Sequence, residues 1–141
     1  MTPLEALQAT LAGEYAAVYV YGVAGGRVSA SEEAVLAERV ADGYRTHRDR
    51  RDQLEAMVRA AGAEPVPADV AYALPGPAGT SSQLEALALE VELRCAAVYA
   101  DMVGSTSGED RRWALAALED AAVRTLGLGA EPEPFPGLGE L

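Results

Sequence analysis

The sequence predicts an all-α chain folded as an antiparallel four-helix bundle, and three observations carry that expectation. Apolar residues recur at spacings of three and four in four blocks, clusters of Gly, Pro and Ser separate the blocks, and no alternating Val-, Ile- or Thr-rich run competes as a strand. At 141 residues, half of them hydrophobic, the chain is one domain's worth and can bury an ordinary core without a disulfide or a structural metal.

The spacing predicts helices over residues 3–24, 31–61, 81–104 and 109–126. Thr2 is placed to cap the first, with Pro3 at its first helical position. Ser31 is expected to open the second, with Glu32 and Glu33 against the positive end of the dipole, and Gly62 to stop it. Ser81 or Ser82 is expected to cap the third helix with Glu85 in its first turn, and Ser107 or Gly108 to open the fourth ahead of Glu109 and Asp110. Short connections make antiparallel hairpins of helices one and two and of helices three and four. The middle connection, Gly62 to Thr80, holds four prolines. Extended at ~3.3 Å per residue it outreaches the ~37 Å of a 25-residue helix, so it can run the length of the bundle. Two hairpins joined by one long crossover is the ferritin-like arrangement. The bundle is thus expected over residues 1–126. Residues 127–141 read as a Pro/Gly-rich tail in which the only Phe, Phe135, docks on the bundle.

An internal repeat agrees with a two-hairpin duplication. Leu4-Glu5-Ala6-Leu7 recurs as Leu84-Glu85-Ala86-Leu87, and Ala16-Ala17-Val18-Tyr19 as Ala96-Ala97-Val98-Tyr99, both at an offset of 80.

Composition removes several functions. There are 22 acidic residues against 11 basic ones, all of them arginine, and the net charge is -11. That balance argues against general binding to nucleic acid or to an anionic membrane surface. One cysteine, Cys95, excludes an intramolecular disulfide and Cys-x-x-Cys chemistry, and its apolar neighbours mark it as an inert core thiol. One histidine, His47, excludes every His-pair zinc motif. No run approaches the ~20 apolar residues of a membrane span, and Met1 to Glu5 has no leader character, so a cytoplasmic address is expected.

The run Glu14-Tyr15-Ala16-Ala17-Val18-Tyr19-Val20-Tyr21-Gly22, then His47-Arg48-Asp49-Arg50-Arg51-Asp52, then Ala71-Tyr72-Ala73-Leu74-Pro75 and the late Phe135-Pro136-Gly137 resembles a bacterial ferritin-like family catalogued as a domain of unknown function. The resemblance spans nearly the whole chain. It implies a ferritin-like four-helix bundle and no particular activity. Members often show His after the helix-one Glu, where this chain has Tyr15.

A ferritin-like di-iron site takes a Glu from each of two helices and Glu-x-x-His from each of the other two, because two cations must be neutralised from four sides. Glu14 lies on a seam with Leu7, Leu11, Val18 and Tyr21, so its carboxylate is expected to point inward. His47 follows Leu36, Val40 and Gly43 on the second helix, but three residues before it stands Tyr44, not Glu, and the fourth helix has no His. At the offset of 80, Glu14 maps to Arg94; only another register supplies Glu90 or Glu92, with Glu119 from helix four. Such a set holds at most one metal, in an incomplete shell.

The preferred reading is a buried polar network of Glu14, Tyr44, His47, Arg51, Glu92 and Glu119, with no metal, no cofactor and no catalytic residue. Helix heights counted from the expected ends leave Glu14 and His47 ~9 Å apart along the axis, which would bring Tyr44 nearer to Glu14. Arg45 to Arg51 read as a solvated, salt-bridged face rather than an anion site, and Ala24-Gly25-Gly26-Arg27 lacks the ending of a phosphate loop. The function expected is a non-catalytic binding or structural module forming a homodimer, with no nucleic-acid or membrane partner. The rival readings are a metal or redox protein with a reduced carboxylate/His site, and a small-molecule binder using a tyrosine-lined cavity between helices.

Overall fold

The computed structural model describes residues 1–138, so the last three residues of the expected tail lie outside the described residues. Four helices, α1 (Pro3–Arg27), α2 (Ala34–Ala60), α3 (Ser81–Ser105) and α4 (Gly108–Gly127), make up the fold, and the described residues contain no strand.

Side-chain contacts fix the helix directions. The Tyr15 hydroxyl meets Glu55 while Gly25 faces Val40, so α1 and α2 are antiparallel. Tyr21 meets Glu92 and Tyr99 meets Glu14, which makes α1 and α3 antiparallel. Arg124 reaches Thr46 and Trp113 reaches Gln53, which makes α2 and α4 antiparallel. Helices α2 and α3 are therefore parallel, and the crossover between them must traverse the bundle. It does so along α1. The Gln8 amide donates to the Glu64 carbonyl (2.7 Å) and accepts from the Val66 N–H (2.8 Å); the Tyr72 ring lies 5.7 Å from that of Tyr19; Arg27 donates to the Ala78 carbonyl (3.4 Å).

The helix ends follow local chemistry and correct three expectations. Thr2 and Glu5 close the expected capping box on α1. On α3 the cap is Thr80, one residue before Ser81, because Gln83 also gathers the N–H groups of Gly79 and Thr80. Helix α2 starts at Ala34 and not at Ser31: the Ser31 hydroxyl is spent on Ser29 and the Glu32 N–H on the Ser29 hydroxyl, so 29–33 forms a turn. Helix α1 continues through Gly25 and Gly26 to Arg27, where the Val28 N–H still finds the Ala24 carbonyl (2.9 Å). Both α2 and α4 end in Schellman caps, with Gly62 (φ 81°) and Gly129 (φ 94°) in the left-handed region and the N–H groups of Ala63 and Ala130 returning to Val58 and Thr125.

The interior has two apolar clusters. One holds Leu7, Leu11, Leu54, Val58, Met102 and Ala114; the other holds Val20, Val40, Leu84, Leu87, Val91 and Ala121. Between them along the helices lie the buried polar side chains of Glu14, His47, Arg50 and Glu92. The tail docks, but not through Phe135, which is 72% exposed. Its contact is backbone: Gly137 sits so close to the Ala96 carbonyl on α3 that a Cβ there would overlap it.

Glycine at a left-handed cap and glycine inside a helix should answer alanine in opposite directions. Gly62→Ala and Gly129→Ala are each expected to cost about 1 kcal/mol, whereas Gly26→Ala, where a Cβ meets nothing, should add about 0.5–1 kcal/mol. Urea unfolding of the three variants checks the signs.

Candidate functional site

Four helices send side chains to the junction of the two clusters, and the imidazole of His47 is at its centre. Its Nδ1 lies 2.7 Å from Glu14 Oε2 on α1, and its Nε2 lies 3.0 Å from Glu92 Oε1 on α3. His47 and Glu92 are wholly buried and Glu14 is 1% exposed. Two tyrosines add to the carboxylates' shells. The Tyr21 hydroxyl donates to Glu92 Oε1 (2.5 Å), and the Tyr99 hydroxyl donates to Glu14 Oε1. The Tyr21 ring also stacks on His47, centroids 5.2 Å apart. Arg50, one turn beyond His47, donates to the Tyr99 hydroxyl (3.2 Å) and pairs with Asp120 of α4 (2.7 Å). Arg124 holds the same Asp120 oxygen (2.8 Å) together with Thr46 (2.7 Å) and Asp42 (2.8 Å).

Local backbone explains why these groups meet. Glu14 lies 13 residues before the end of α1 and His47 lies 13 residues after the start of α2, so the two stand at one height. The expected axial mismatch disappears because α1 ends three residues later, and α2 begins three residues later, than the spacing predicts. Gly43 provides the second condition. A Cβ at position 43 would overlap the Tyr21 ring, so only glycine lets that ring pass beneath α2 to reach His47 and Glu92.

The electrostatics follow from burial. Burial by itself pushes His47 toward the neutral form, but the hydrogen bonds and negative charges of Glu14 and Glu92 outweigh it and raise the imidazole from 6.5 to about 9. His47 is therefore a cation at neutral pH and donates from both nitrogens. Arg50 adds a second positive charge in the field of Glu14, its own ion pair being with Asp120. The Tyr21 and Tyr99 hydroxyls and the Cys95 thiol are all driven up, first by burial and then by the neighbouring charges, and so remain protonated. One atom stands apart: Glu92 Oε2 is the buried side-chain polar atom without a partner among the described residues.

Of the residues expected in this network, Glu14, His47 and Glu92 are brought together. Tyr44, Arg51 and Glu119 are not. Tyr44 is half-buried beside Gly22 with Arg48 over its ring, Arg51 pairs with Asp52, and Glu119 is exposed. Arg50 and Asp120 occupy the roles assigned to Arg51 and Glu119. A helix turns 100° per residue, so a placement wrong by one residue leaves the inward face altogether. Glu90, the other carboxylate considered on α3, pairs with Arg94 on the surface. The repeat also changes register. At an offset of 78, six buried positions of α1 match six of α3: Ala6 with Leu84, Thr10 with Ala88, Glu14 with Glu92, Ala17 with Cys95, Tyr21 with Tyr99 and Ala24 with Met102. The recurrence of Glu-x6-Tyr in both helices was the signal that the longer words at offset 80 hid.

The donor set does not fit the two metal ions of a ferritin-like centre. Glu14 and Glu92 lie on opposite edges of the imidazole, so no single point is within bonding distance of both carboxylates and a ring nitrogen. Helix α4 turns Ala114, Ala117, Ala121 and Thr125 inward where further ligands would stand.

Residues 6–140 match the profile of a family described as Domain of unknown function (DUF4439). The chain belongs to this family. Among solved structures, a conserved hypothetical protein, rv2844, from Mycobacterium tuberculosis is similar to this DUF4439 chain, with 28% identity and a TM-score of 0.82 over 89% of this chain and 93% of that one. No curated protein matches.

Two measurements bear on the network. Glu14→Ala should cost roughly 3–5 kcal/mol, because it breaks a buried ion pair and leaves the His47 Nδ1–H and the Tyr99 hydroxyl buried without an acceptor, and Glu14→Gln should cost less. Because His47 has its pKa raised on folding, its stabilisation is complete below 6.5 and is lost as pH rises through about 9. Melting temperature should therefore fall between those values, and the single imidazole resonance should titrate near 9. Titration near 6.5 would contradict the cationic assignment.

Proposed function

We propose that this DUF4439 protein is a non-catalytic binding module in which the metal position of a ferritin-like bundle is filled by a buried polar network. The observation that carries the reading is that both nitrogens of His47 are used, on opposite edges, by Glu14 and Glu92. The Cys95 thiol and the Tyr99 hydroxyl, which could do nucleophilic or acid–base work, are buried and held in their protonated forms. A second reading, a metal-binding protein with a reduced carboxylate/His site, draws on Glu92 Oε2, a buried carboxylate oxygen left without a donor.

One experiment separates the two. Protein made without a His tag, with iron and manganese supplied, should contain less than stoichiometric metal and melt at the same temperature with and without chelator. A melting temperature that falls on chelation and recovers with added metal would establish the second reading.

We further propose that the module is a homodimer. The six tyrosines are all buried or half-buried and leave no exposed aromatic face. Among the exposed apolar residues, Leu93 of α3, Val123 and Leu126 of α4 and Phe135 of the adjoining tail lie on neighbouring elements, and the first three line one shallow hollow with Pro132 and Pro136. Light scattering at micromolar concentration should give about twice the 14.7 kDa of the chain, and Val123→Glu should return it to the monomer mass.

A further inference from the structure

One side of the bundle is not packed like the others. The pairs α1–α2, α3–α4 and α1–α3 pack closely, but the backbones of α2 and α4 nowhere approach to 8 Å between Cα atoms. The crossover covers the α1–α3 side; the α2–α4 side is spanned only by side chains. Arg39 donates to the Gly127 carbonyl, Arg124 reaches Thr46 and Asp42, Arg50 holds Asp120, and Trp113 bonds Gln53. These bridges divide a groove. Its larger compartment, about 360 Å³, lies at the end of the bundle where α2 begins and α4 ends, and Tyr21, Val35, Arg39, Arg45, Arg124 and Leu128 contribute to its walls. That volume falls in the ~300–1,000 Å³ range of small-molecule sites.

The chemistry of the walls points to one class of ligand. Three arginines line the compartment against two carboxylates, Glu38 and Asp42, in a chain whose net charge is -11. Asp42 is already engaged by Arg124 and Arg45. Arg39 uses one nitrogen on the Gly127 carbonyl and Arg45 makes only a 3.5 Å contact, so each offers a further guanidinium edge to the groove. Val35, 63% exposed, adds aliphatic surface, and Leu128 and Tyr21, themselves largely buried, also line the compartment. We propose that the α2–α4 groove binds a small amphipathic carboxylate, its charged group held by Arg39 and Arg45 and its apolar part lying against Val35, Leu128 and Tyr21. The proposal rests on the reading of the protein as a binding module and gives that module its site. It also ties the site to the buried network, because the Tyr21 that lines it is the one stacked on His47 and hydrogen-bonded to Glu92.

The test is an amide NMR titration of the full chain with octanoate, with octanol as the neutral counterpart and the metal content of the same sample measured alongside. Octanoate should bind saturably, move the amides of residues 35–45 and 124–128 and shift the His47 ring resonances. Octanol should bind at least about tenfold more weakly, and Arg39→Gln combined with Arg45→Gln should weaken octanoate by about the same factor. Val35→Asp, at an exposed position that folding does not depend on, should do likewise. No saturable binding by about 10 mM octanoate, equal binding of octanol, or shifts centred instead on Gly13, Ala73 and Val98 under the crossover would overturn the proposal. Absence of octanoate binding by metal-free protein defeats the groove site alone, whereas metal at the network defeats the underlying reading whatever octanoate does.

Discussion

Two carboxylates in the middle of a helical bundle set the terms for everything around them. Glu14 and Glu92 are out of reach of solvent, and an unpaired buried carboxylate costs several kcal/mol or takes up a proton. Here each one receives a tyrosine hydroxyl and an imidazole N–H; His47 supplies the positive charge between them, and Arg50, on the next turn of α2, adds a second one nearby. The rest of the geometry serves that arrangement. Gly43 opens the path for Tyr21, the late start of α2 sets the height of His47, and Asp120 with Arg124 returns the outer edge of Arg50 to the surface as ion pairs.

The symmetry of the network is partial, and that is informative. Helices α1 and α3 exchange equivalent contacts, Tyr21 to Glu92 and Tyr99 to Glu14, as two halves related by a pseudo-two-fold axis would. Their partners do not. Helix α2 brings both cations inward, while α4 brings alanines inward and keeps Asp120 and Arg124 at the margin. A pair of metal ions would need donors from α4 as well as α2. One imidazolium between two carboxylates needs none from α4, so the alanines there cost the network nothing.

Much of the fold was legible in the sequence, because helix existence depends on periodicity and the crossover on simple reach. Glu14 and His47 were legible for the same reason, being inward points on long apolar seams. What escaped was anything decided by one residue of register. Arg50 and Arg51 are adjacent in a basic run, as are Glu119 and Asp120 in an acidic one, and nothing local says which of each pair turns inward. Helix ends mattered in the same way. Two boundaries, each displaced by three residues, account for the ~9 Å that separated Glu14 from His47 on paper, at 1.5 Å per residue along each helix. Phe135 misled by its type: the tail is seated by the missing side chain of Gly137 rather than by the large one beside it.

The two faces of the bundle are closed by different means, and the difference bears on function. The crossover lays tyrosine, proline and alanine along the α1–α3 side, where apolar burial holds it. The α2–α4 side is bridged by Arg39, Arg50 and Arg124 across a gap that backbone packing does not fill. Bridges of this kind, partly exposed to water, each contribute on the order of 1 kcal/mol or less and weaken with salt, so this is the side where the bundle opens most cheaply. It is also the side on which Tyr21, a member of the buried network, meets a groove. The least costly opening of the fold and its most direct approach to the central charges therefore coincide.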